Sequence, residues 1–357
     1  MKTYIKFLIS VYLKTLFNVI FVLLSLIFIL NILTEVDFFR GIPVSTLFPI
    51  FIAFLNSPSL VFEIFPFIFL ITTQFFFINL FKNDQINIFK YAGLKNSNII
   101  KFITLLTFII GVFIIIFFYN FSANLKNYYL ELKFKFTTDG KYLAVITNNG
   151  LWIKDIVDNK INIINATKIE NENLVEIYIT QFDEDFNVIR NIQSEKIDIS
   201  ENNWKIFNPR IYENGNIINL EKLIMFSNFD IRKIQNLFSN LSSLSLFELF
   251  KLRKNYKSLN YSVTEVDLQI SRIISFPFFF SLMVIFSSII MLNTKYLNNI
   301  TLKIITGLFM SVIIYYINNF FNVLGKTEKI PVIISVWIPL IVLTTTNILL
   351  IRNINEK

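Results

Sequence analysis

The side chains that could carry out chemistry in this sequence are limited to carboxylates, amines, amides and hydroxyls. The chain has 357 residues with no Cys and no His. Thiol nucleophiles, imidazole bases, Ser-His-Asp triads, disulfides and Cys/His metal sites are therefore excluded together. The sequence has no Walker A motif, no HExxH motif and no carboxylate pair placed as an acid–base dyad. We expect no catalytic residue, no metal site and no cofactor, so any energy input must come from a partner.

One short polar segment has the composition of a docking site. It reads Lys82-Asn-Asp-Gln-Ile-Asn-Ile-Phe-Lys-Tyr-Ala-Gly93. Asp84 can cap a short helix, and Gly93 can end it. Ile86, Phe89 and Lys90 then share a face, because residues three and four apart are neighbours on a helix. This face is expected to present a small apolar knob beside a cation, although the loop taken alone favours an ordinary interfacial turn.

The elements that position this loop are long apolar segments. Hydrophobic residues make up 54% of the chain and mean hydropathy is +0.58, which is more than a soluble core absorbs. A helix needs about 20 mainly apolar residues to cross a bilayer. Six segments reach that length, approximately Phe7–Leu33, Leu60–Phe81, Ile99–Phe121, Ile273–Leu292, Leu302–Val323 and Pro331–Ile351. The first is too long for a signal-peptide core and no small-residue cleavage site follows it, which favours a retained anchor.

The basic residues of the short loops predict the orientation, because positively charged loops stay on the cytoplasmic side. Lys82, Lys90, Lys95 and Lys101 flank the loop after the second span, and other basic residues mark the remaining even-numbered connection and both chain ends. The opposite short loops contain only Arg40, Lys326 and Lys329. Both termini should therefore be cytoplasmic, and the long segment between the third and fourth spans should lie outside, in the periplasm of a Gram-negative cell.

That long segment has the composition of a β domain. Alternating patterns predict strands at Lys141–Thr147, Leu151–Ile156, Leu174–Phe182 and Trp204–Ile211. Turn signals recur between them, at Asn148-Asn-Gly150, Asp183-Glu-Asp185, Glu201-Asn-Asn203 and Asn214-Gly215. This spacing is typical of a sandwich or jelly roll of roughly eight strands. Residues 137–226 hold nine Lys/Arg against fourteen Asp/Glu, which argues against a nucleic-acid partner.

The predicted architecture is a polytopic α-helical membrane protein with an inserted antiparallel β domain. Its predicted parts are 1–121 with three spans and a coupling loop at 82–98, then 122–271, then 272–357 with three more spans. An amphipathic helix around Leu244–Tyr256, with Leu246, Leu249, Phe250 and Arg253 on one face, is expected to connect the β domain to the fourth span. The most polar deep pair is Asn318 and Asn319, for which hydrogen bonding between helices is favoured over ligand contact.

This layout, with a polar loop after the second span, resembles the LptF/LptG permease family. Several segments are similar to family patterns: Tyr4-Ile5, Phe65-Pro66, Phe89-Lys-Tyr-Ala-Gly93, Gly150-Leu-Trp-Ile-Lys-Asp155, Arg272-Ile-Ile-Ser-Phe-Pro277 and Ile330-Pro331. The Gly-Leu-Trp-x-Lys-Asp string and the short loop before Ile330 look more like LptG than LptF. The resemblance covers nearly the whole chain.

The resemblance implies a permease subunit of an ABC transporter that extracts lipopolysaccharide from the bacterial inner membrane. LptG and LptF then enclose a V-shaped cavity, two LptB ATPase subunits bind below, and the lipid enters sideways from the outer leaflet of that membrane. The lipid passes to a periplasmic jelly roll and onward to a bridge toward the outer membrane. The implied partners are an LptB-like ATPase dimer, an LptF-like second permease, LptC/LptA-like bridge proteins and lipopolysaccharide.

The resemblance also implies roles for individual residues. The ATPase-coupling helix corresponds to Asp84, Gln85, Ile86, Phe89, Lys90 and Gly93. Gln85 stands where the family commonly has an acid, whereas Lys90 keeps the basic position. Thr34 corresponds to a family lysine associated with lipid phosphates, while Arg40 and Lys126 lie at positions that are basic in relatives. The lipid-binding candidates are Thr34, Asp37, Arg40 and Lys126, and an interfacial anchor is an equal alternative for Arg40.

Two further functions remain open at this point. A membrane-anchored scaffold or sensor would use its external β domain to bind an envelope partner. An exporter of another amphipathic lipid would keep the transporter mechanism with a different cargo. Replacing Phe89 and Lys90 separates the first from a transporter, because only a transporter needs the loop for ATPase association.

Overall fold

The computed structural model describes residues 3–136, 151–170, 172–213, 215–229, 234, 240–258, 262–292 and 299–351. The chain divides into two compact units. The first, here called the membrane unit, comprises Met1–Lys126 and Val263–Lys357. The second, here called the β unit, comprises Asn127–Ser262. The strand predicted at Lys141–Thr147 and the turn predicted at Asn148-Asn-Gly150 lie outside the described residues.

Six helices of the described chain are long and apolar enough to cross a membrane, which confirms the predicted six spans. In chain order the helices are α1 (Thr3–Phe38), α2 (Phe48–Glu63), α3 (Phe65–Lys82), α4 (Gln85–Tyr91), α5 (Asn96–Phe113), a π-helical segment (Ile114–Tyr119), α6 (Asn120–Phe134), a 3₁₀ turn (Leu241–Ser243), α7 (Leu246–Ser258), α8 (Thr264–Leu292), α9 (Ile300–Lys326) and α10 (Val332–Ile351). The third span runs through α5, the π-helical segment and most of α6.

The second span differs from its prediction, because the helix extends further toward the N-terminus and is broken. Sequence predicted a helix from Leu60, but α2 already begins at Phe48. The helix is interrupted at Ile64, and Pro66 lies at the start of α3. Proline has no N–H to donate and restricts the backbone conformation of the residue before it. The helix therefore breaks next to Pro66.

Helices α5 and α8 approach each other closely at Gly111. A Cβ built on Gly111 of α5 would lie 3.0 Å from the Cα of Pro277 and 3.0 Å from the ring of Phe280. Only glycine fits at this distance without a shift of the helices. The segment Arg272–Pro277, which carries part of the family resemblance, is thus placed directly against the third span.

Within its described residues the β unit contains one eight-stranded antiparallel sheet, which confirms the inserted β domain. The strands are β1 (Leu151–Val157), β2 (Lys160–Glu170), β3 (Asn173–Phe182), β4 (Val188–Asp198), β5 (Asn203–Phe207), β6 (Arg210–Glu213), β7 (Asn216–Asn219) and β8 (Lys222–Phe226). Their order is β1-β2-β3-β4-β5-β8, and β6 pairs with both β4 and β7. A row of buried isoleucines crosses five paired strands at Ile153, Ile164, Ile179, Ile192 and Ile211.

The single strand predicted at Trp204–Ile211 is in fact two strands, β5 and β6. Asn208 has a φ of +45°, and Pro209 follows it. Proline cannot donate to a ladder and is confined to edges and irregular positions. The chain therefore bends after Phe207, and both halves pair with β4.

The predicted turn at Asp183-Glu-Asp185 joins β3 to β4 and is held by its first carboxylate. Asp183 Oδ1 accepts the backbone N–H groups of Asn187 at 2.7 Å and Asp185 at 3.0 Å. These bonds, chiefly that from Asn187, lower the pKa of Asp183 below its usual value. The turn is therefore stabilised at neutral pH, and this contribution is lost as the pH falls through the lowered pKa.

The helix predicted around Leu244–Tyr256 is α7, but its apolar face differs from the prediction. Leu249 and Leu252 are buried, whereas Phe250 is 48% exposed. Tyr256 packs against the core of the sheet. The helix is therefore part of the β unit and covers its core, since Leu249, Leu252 and Tyr256 recur at spacings of three and four residues.

Alternation along β1 explains the Gly-Leu-Trp-x-Lys-Asp string. Leu151 and Ile153 enter the core, while Trp152 faces outward and is 54% exposed. Asp155 is fully buried and accepts hydrogen bonds from Ser227 Oγ at 2.7 Å, from Asn228 N at 3.2 Å and from Asn228 Nδ2 at 2.8 Å. Asp155 therefore fixes the chain that leaves β8.

We predict that Asp155→Ala opens this segment. The change removes the charged acceptor of three donors, of which Ser227 Oγ is buried and the two of Asn228 are partly buried, so local stability should fall by about 3 kcal/mol. Hydrogen–deuterium exchange of full-length protein should show amides near 227–229 exchanging at least tenfold faster. Lys154→Ala, on the outward side of the same strand, should leave that exchange unchanged, and equal rates in both variants would contradict the assignment.

Candidate functional site

The short helix α4 lies in the polar loop after the second span, as the sequence predicted. Gly93 has a φ of +80° and follows the last turn, where its N–H bonds Lys90 O at 2.9 Å and Leu94 N–H bonds Phe89 O at 2.9 Å. This pair of bonds is a Schellman motif, which requires a residue that tolerates the left-handed region. Asp84 precedes the helix, but its Oδ1 accepts from the side chain of Asn87 at 2.6 Å rather than from a backbone N–H.

The exposed face of α4 differs from the predicted one. Ile86 is only 5% exposed, and the ring of Phe89 packs on Phe7 of α1 at 6.2 Å between centroids. Ile88 and Tyr91 are 57% and 91% exposed instead. Lys90 is also exposed, and Gln85 is partly buried. Ile86 and Phe89 thus attach α4 to the chain, while Ile88, Lys90 and Tyr91 form the outward surface, here called the α4 knob.

A cluster of polar contacts joins α3, the helix that precedes α4 in the chain, to α9. Gln74 Nε2 donates to the backbone oxygens of Lys303 at 3.4 Å and Ile304 at 3.3 Å. Gly307 lies against the same amide, and a Cβ there would overlap Nε2 of Gln74. We call the contact of Gln74 with Lys303, Ile304 and Gly307 the α3–α9 lock.

Lys303 reinforces this lock from the first turn of α9. Its Nζ donates to Met291 O, in the last turn of α8, at 2.7 Å. The same ammonium lies 5.6 Å from the ring centroid of Phe81 in α3. A cation near a helix C-terminus and over an aromatic face is favourable. Lys303 is only 4% exposed, and it ties three helices together.

Three of the lipid-binding candidates share the exposed side of the end of α1. Thr34, Asp37 and Arg40 are all exposed, and the hydroxyl of Thr34 donates to Leu30 O at 3.1 Å. Thr34 and Asp37 are three residues apart on α1, and Arg40 lies in the turn that follows Phe38. They therefore form a small polar surface at the end of an apolar span.

Lys126, the fourth candidate, lies on α6 and is partly buried. Its charged neighbour is Glu63, at the break between α2 and α3. The carboxylate interacts electrostatically with the ammonium. Lys126 therefore has a carboxylate of its own chain nearby.

The opposite face of α1 carries polar residues that sequence analysis did not select. Asn31 Nδ2 donates to Ala53 O at 2.8 Å, and Asn31 Oδ1 accepts from Asn56 Nδ2 at 3.3 Å. Glu35 lies one turn further and is 1% exposed. The sequence could have identified Asn31 and Glu35, because two polar residues four positions apart within an apolar span indicate a buried helix face.

The deep pair Asn318 and Asn319 is less buried than its neighbour on the same helix. Asn319 is exposed and Asn318 partly buried, whereas Asn322 is 7% exposed. Amides that do cross between spans are Asn31, Gln74 and Asn347, the last donating to Leu282 O at 3.1 Å. The predicted helix-to-helix amide contact is therefore made by other residues.

Comparison with known proteins identifies the family. The sequence profile of the lipopolysaccharide export system permease LptF/LptG matches residues 6–353, nearly the full chain. The chain belongs to the LptF/LptG family. No curated protein matches the sequence. The match includes all six spans, α4 and the whole β sheet, but it does not distinguish LptF from LptG.

As an LptF/LptG permease, the chain is a multi-pass inner-membrane transport subunit and not a catalytic one. The family activity is lipopolysaccharide export. The α4 knob and the polar residues at the end of α1 are both exposed in this chain.

Proposed function

We propose that this permease couples ATP hydrolysis by an LptB-like dimer to extraction of lipopolysaccharide from the inner membrane. An LptF-like second permease completes the cavity, and LptC/LptA-like proteins receive the lipid beyond the membrane. The observation that carries this proposal is the family match over 6–353 together with an exposed α4 knob on a chain that has no nucleotide-binding motif. Energy must then enter through a protein contact.

The burial of the spans supports a second permease as partner. In α8, 78% of the most apolar stretch is buried within the chain, but in α1 and α9 the share is only 17%. Helices associate in membranes by close packing, so two poorly covered spans are suited to contact another subunit or cargo. We infer that α1 and α9 line the cavity and its two interfaces with the second permease.

The charges of the loops support the proposed orientation. The α4 loop and the segments beside it carry Lys82, Lys90, Lys95 and Lys101, so we place this side in the cytoplasm. The polar end of α1 and the β unit then belong to the periplasmic side. Lipid enters near Thr34, Asp37 and Arg40, where a cation can pair with a phosphate at the membrane surface.

A scaffold or sensor is the alternative from another class. The outward side of the sheet offers aromatic side chains for such a partner, with Trp152 and Tyr178 each 54% exposed. A scaffold does not need to bind an ATPase, so changes to the α4 knob distinguish the two functions. An exporter of another amphipathic lipid shares the mechanism and differs only in what is captured.

Photo-crosslinking in intact cells tests the cargo and its entry route. A photoreactive amino acid at position 34 or 40 should crosslink to lipopolysaccharide, and position 126 should do so less because Lys126 is partly buried beside Glu63. A matched control at Phe17, which is 78% exposed nearer the other end of α1, should give little product. Equal crosslinking at all four positions, or products containing only phospholipid, would contradict entry at this end of α1.

A further inference from the structure

Helix α2 packs chiefly on α1 and only lightly on the helical segments that follow it. Asn31 of α1 donates to Ala53 O at 2.8 Å and accepts from Asn56 Nδ2 at 3.3 Å. Hydrogen bonds between helices in an apolar environment hold the two helices in one relative position. Residues 20–63, from the middle of α1 to the end of α2, are here called the α1–α2 arm.

The arm joins the rest of the second span at a weak point of the backbone. Pro66 has no N–H and cannot continue the helical ladder. Phe67 N donates to Ile64 O at 2.9 Å, which is a turn bond rather than an α-helical bond. Residues at the ends of elements are those that absorb backbone rotation in hinges. The electrostatic contact of Glu63 with Lys126 lies at this same point, so it does not restrain the far end of the arm.

Aromatic rings from α2, α3, the π-helical segment and α8 meet at this break. Phe62, at the end of the arm, packs on Tyr119 at 4.9 Å and on Phe276 at 5.1 Å between centroids. Phe65, at the start of α3, packs on Phe118 at 5.3 Å and so keeps α3 among the remaining helices of the membrane unit, here called the bundle. Contacts between apolar surfaces are non-directional. Phe62 can therefore turn over its two neighbours without breaking a hydrogen bond.

The neighbours of the break are irregular at the same level. The π-helical segment ends at Tyr119, and Pro277 follows Phe276 within α8. Prolines and π-helical turns are the positions at which helices bend sharply. Three spans thus depart from regular α-helix where their aromatic side chains meet.

The first span passes this level as one continuous helix, α1, which has no fully buried residue between Val19 and Asn31. On the N-terminal side of that stretch, the hydroxyl groups of Tyr12 and Thr107 share a hydrogen bond of 3.0 Å that holds α1 to α5. A bend of about 15° spread over residues 20–30, about 16 Å of helix, gives a radius of curvature of about 60 Å. Long helices ordinarily curve to this extent. The first span can therefore follow a movement of the arm without breaking.

We propose that the α1–α2 arm swings as one body about the break at Ile64, while α3 stays fixed in the bundle. A rotation of about 15° moves Phe51, which lies about 20 Å from the break along α2, by about 5 Å. The arm carries Thr34 and Asp37, and Arg40 lies in the turn at its tip. The swing therefore moves the polar end of α1 relative to the other spans. Its use in capturing lipid rests on the proposed function.

Distances between spin labels test this motion in full-length protein reconstituted in lipid nanodiscs. The chain has no cysteine, so labels attach only to cysteines that are introduced. Phe51→Cys with Ile333→Cys on α10 reports arm against bundle, and Phe51→Cys with Leu33→Cys reports a distance within the arm. The three side chains are 46%, 69% and 63% exposed, so labelling disturbs no buried contact. Pulsed electron paramagnetic resonance should give an arm-to-bundle distribution at least twice as wide as the distribution within the arm.

Replacing Pro66 by alanine tests the position of the hinge. The change restores an N–H and favours a continuous helix through the break. The arm-to-bundle distribution should narrow to the width measured within the arm. Pro58→Ala is the matched control, because Pro58 lies inside α2 and away from the break, and it should leave the distribution wide.

Two outcomes would overturn the hinge. Equal widths for the two label pairs would show that the arm does not move against the bundle. Equal narrowing by Pro58→Ala and Pro66→Ala would show general stiffening of the second span rather than a joint at Ile64. The comparison of label pairs decides the first point even if Pro66→Ala fails to fold. The measurement uses neither lipopolysaccharide nor an ATPase, so a failure of the proposed export function would leave its result intact.

Discussion

Replacing Ile88 and Tyr91 together by alanine should abolish association of the ATPase with this permease while leaving the chain folded. The two side chains are 57% and 91% exposed, so their removal costs the fold little. An exposed aromatic residue such as Tyr91 that becomes buried in an interface often contributes about 2 kcal/mol to binding, and burial of an aliphatic side chain such as Ile88 adds about 1.5 kcal/mol. We therefore expect at least a hundredfold loss of affinity, measured by copurification and by titration of the ATPase onto the permease pair.

A matched change on the inward face of α4 distinguishes docking from simple loosening. Phe89→Ala removes the contact with Phe7 of α1 and should weaken association partially while lowering the melting temperature of the permease. Lys90→Ala tests the cation and should reduce association with a dependence on salt. Unchanged ATPase binding in the Ile88/Tyr91 double variant would contradict the transporter mechanism and favour the scaffold.

Replacing Gly307 by valine should uncouple ATP hydrolysis from lipid movement. The larger side chain overlaps the amide of Gln74, so the α3–α9 lock must open and two hydrogen bonds to Lys303 and Ile304 are lost. Overpacking and the lost bonds together should destabilise the membrane unit by about 2 to 4 kcal/mol. Because α3 leads into α4, a movement of α4 would normally reach α9 through the α3–α9 lock. With the lock open, a movement of α4 would no longer produce a matching movement of α9.

The ratio of lipid released to ATP hydrolysed, measured in reconstituted vesicles, checks this expectation. Gly307→Val should lower that ratio at least tenfold while hydrolysis continues. The milder Gly307→Ala should be partly rescued by Gln74→Ala, because shortening Gln74 makes room for one methyl group. An unchanged ratio in Gly307→Val, or no interaction between the two milder changes, would show that α3 and α9 are not coupled through this contact.

The six spans could be predicted because their signal is one of composition. Any stretch of about 20 apolar residues meets the hydrocarbon requirement whatever its neighbours are. The helix α2 was not predicted, because its apolar run is interrupted by Asn56, Ser57, Pro58 and Ser59. Three of these residues are satisfied by local or interhelical bonds, such as Ser57 Oγ to Ala53 O at 2.6 Å. A hydropathy scale scores these residues as polar, although their hydrogen bonds are satisfied within the folded chain.

The coupling loop shows the limit of periodicity on short elements. Spacing correctly predicted a helix ending at Gly93, but a helix of seven residues does not reveal which of its faces meets the rest of the chain. Phe89 packs on Phe7 of α1, and Ile86 is buried as well. The β unit has the same limit at Asp155, whose partners Ser227 and Asn228 are more than 70 positions away along the chain. Contacts of that kind follow from the tertiary fold alone.

The most direct test of the central claim is lipopolysaccharide binding by the purified complex. A complex of this permease, its partner permease and the ATPase should retain lipopolysaccharide through purification, and Arg40→Ala should reduce the amount retained. The partner permease and the ATPase prepared without this chain should retain only background lipid. Equal retention with and without the chain would contradict its assignment as a lipopolysaccharide export permease.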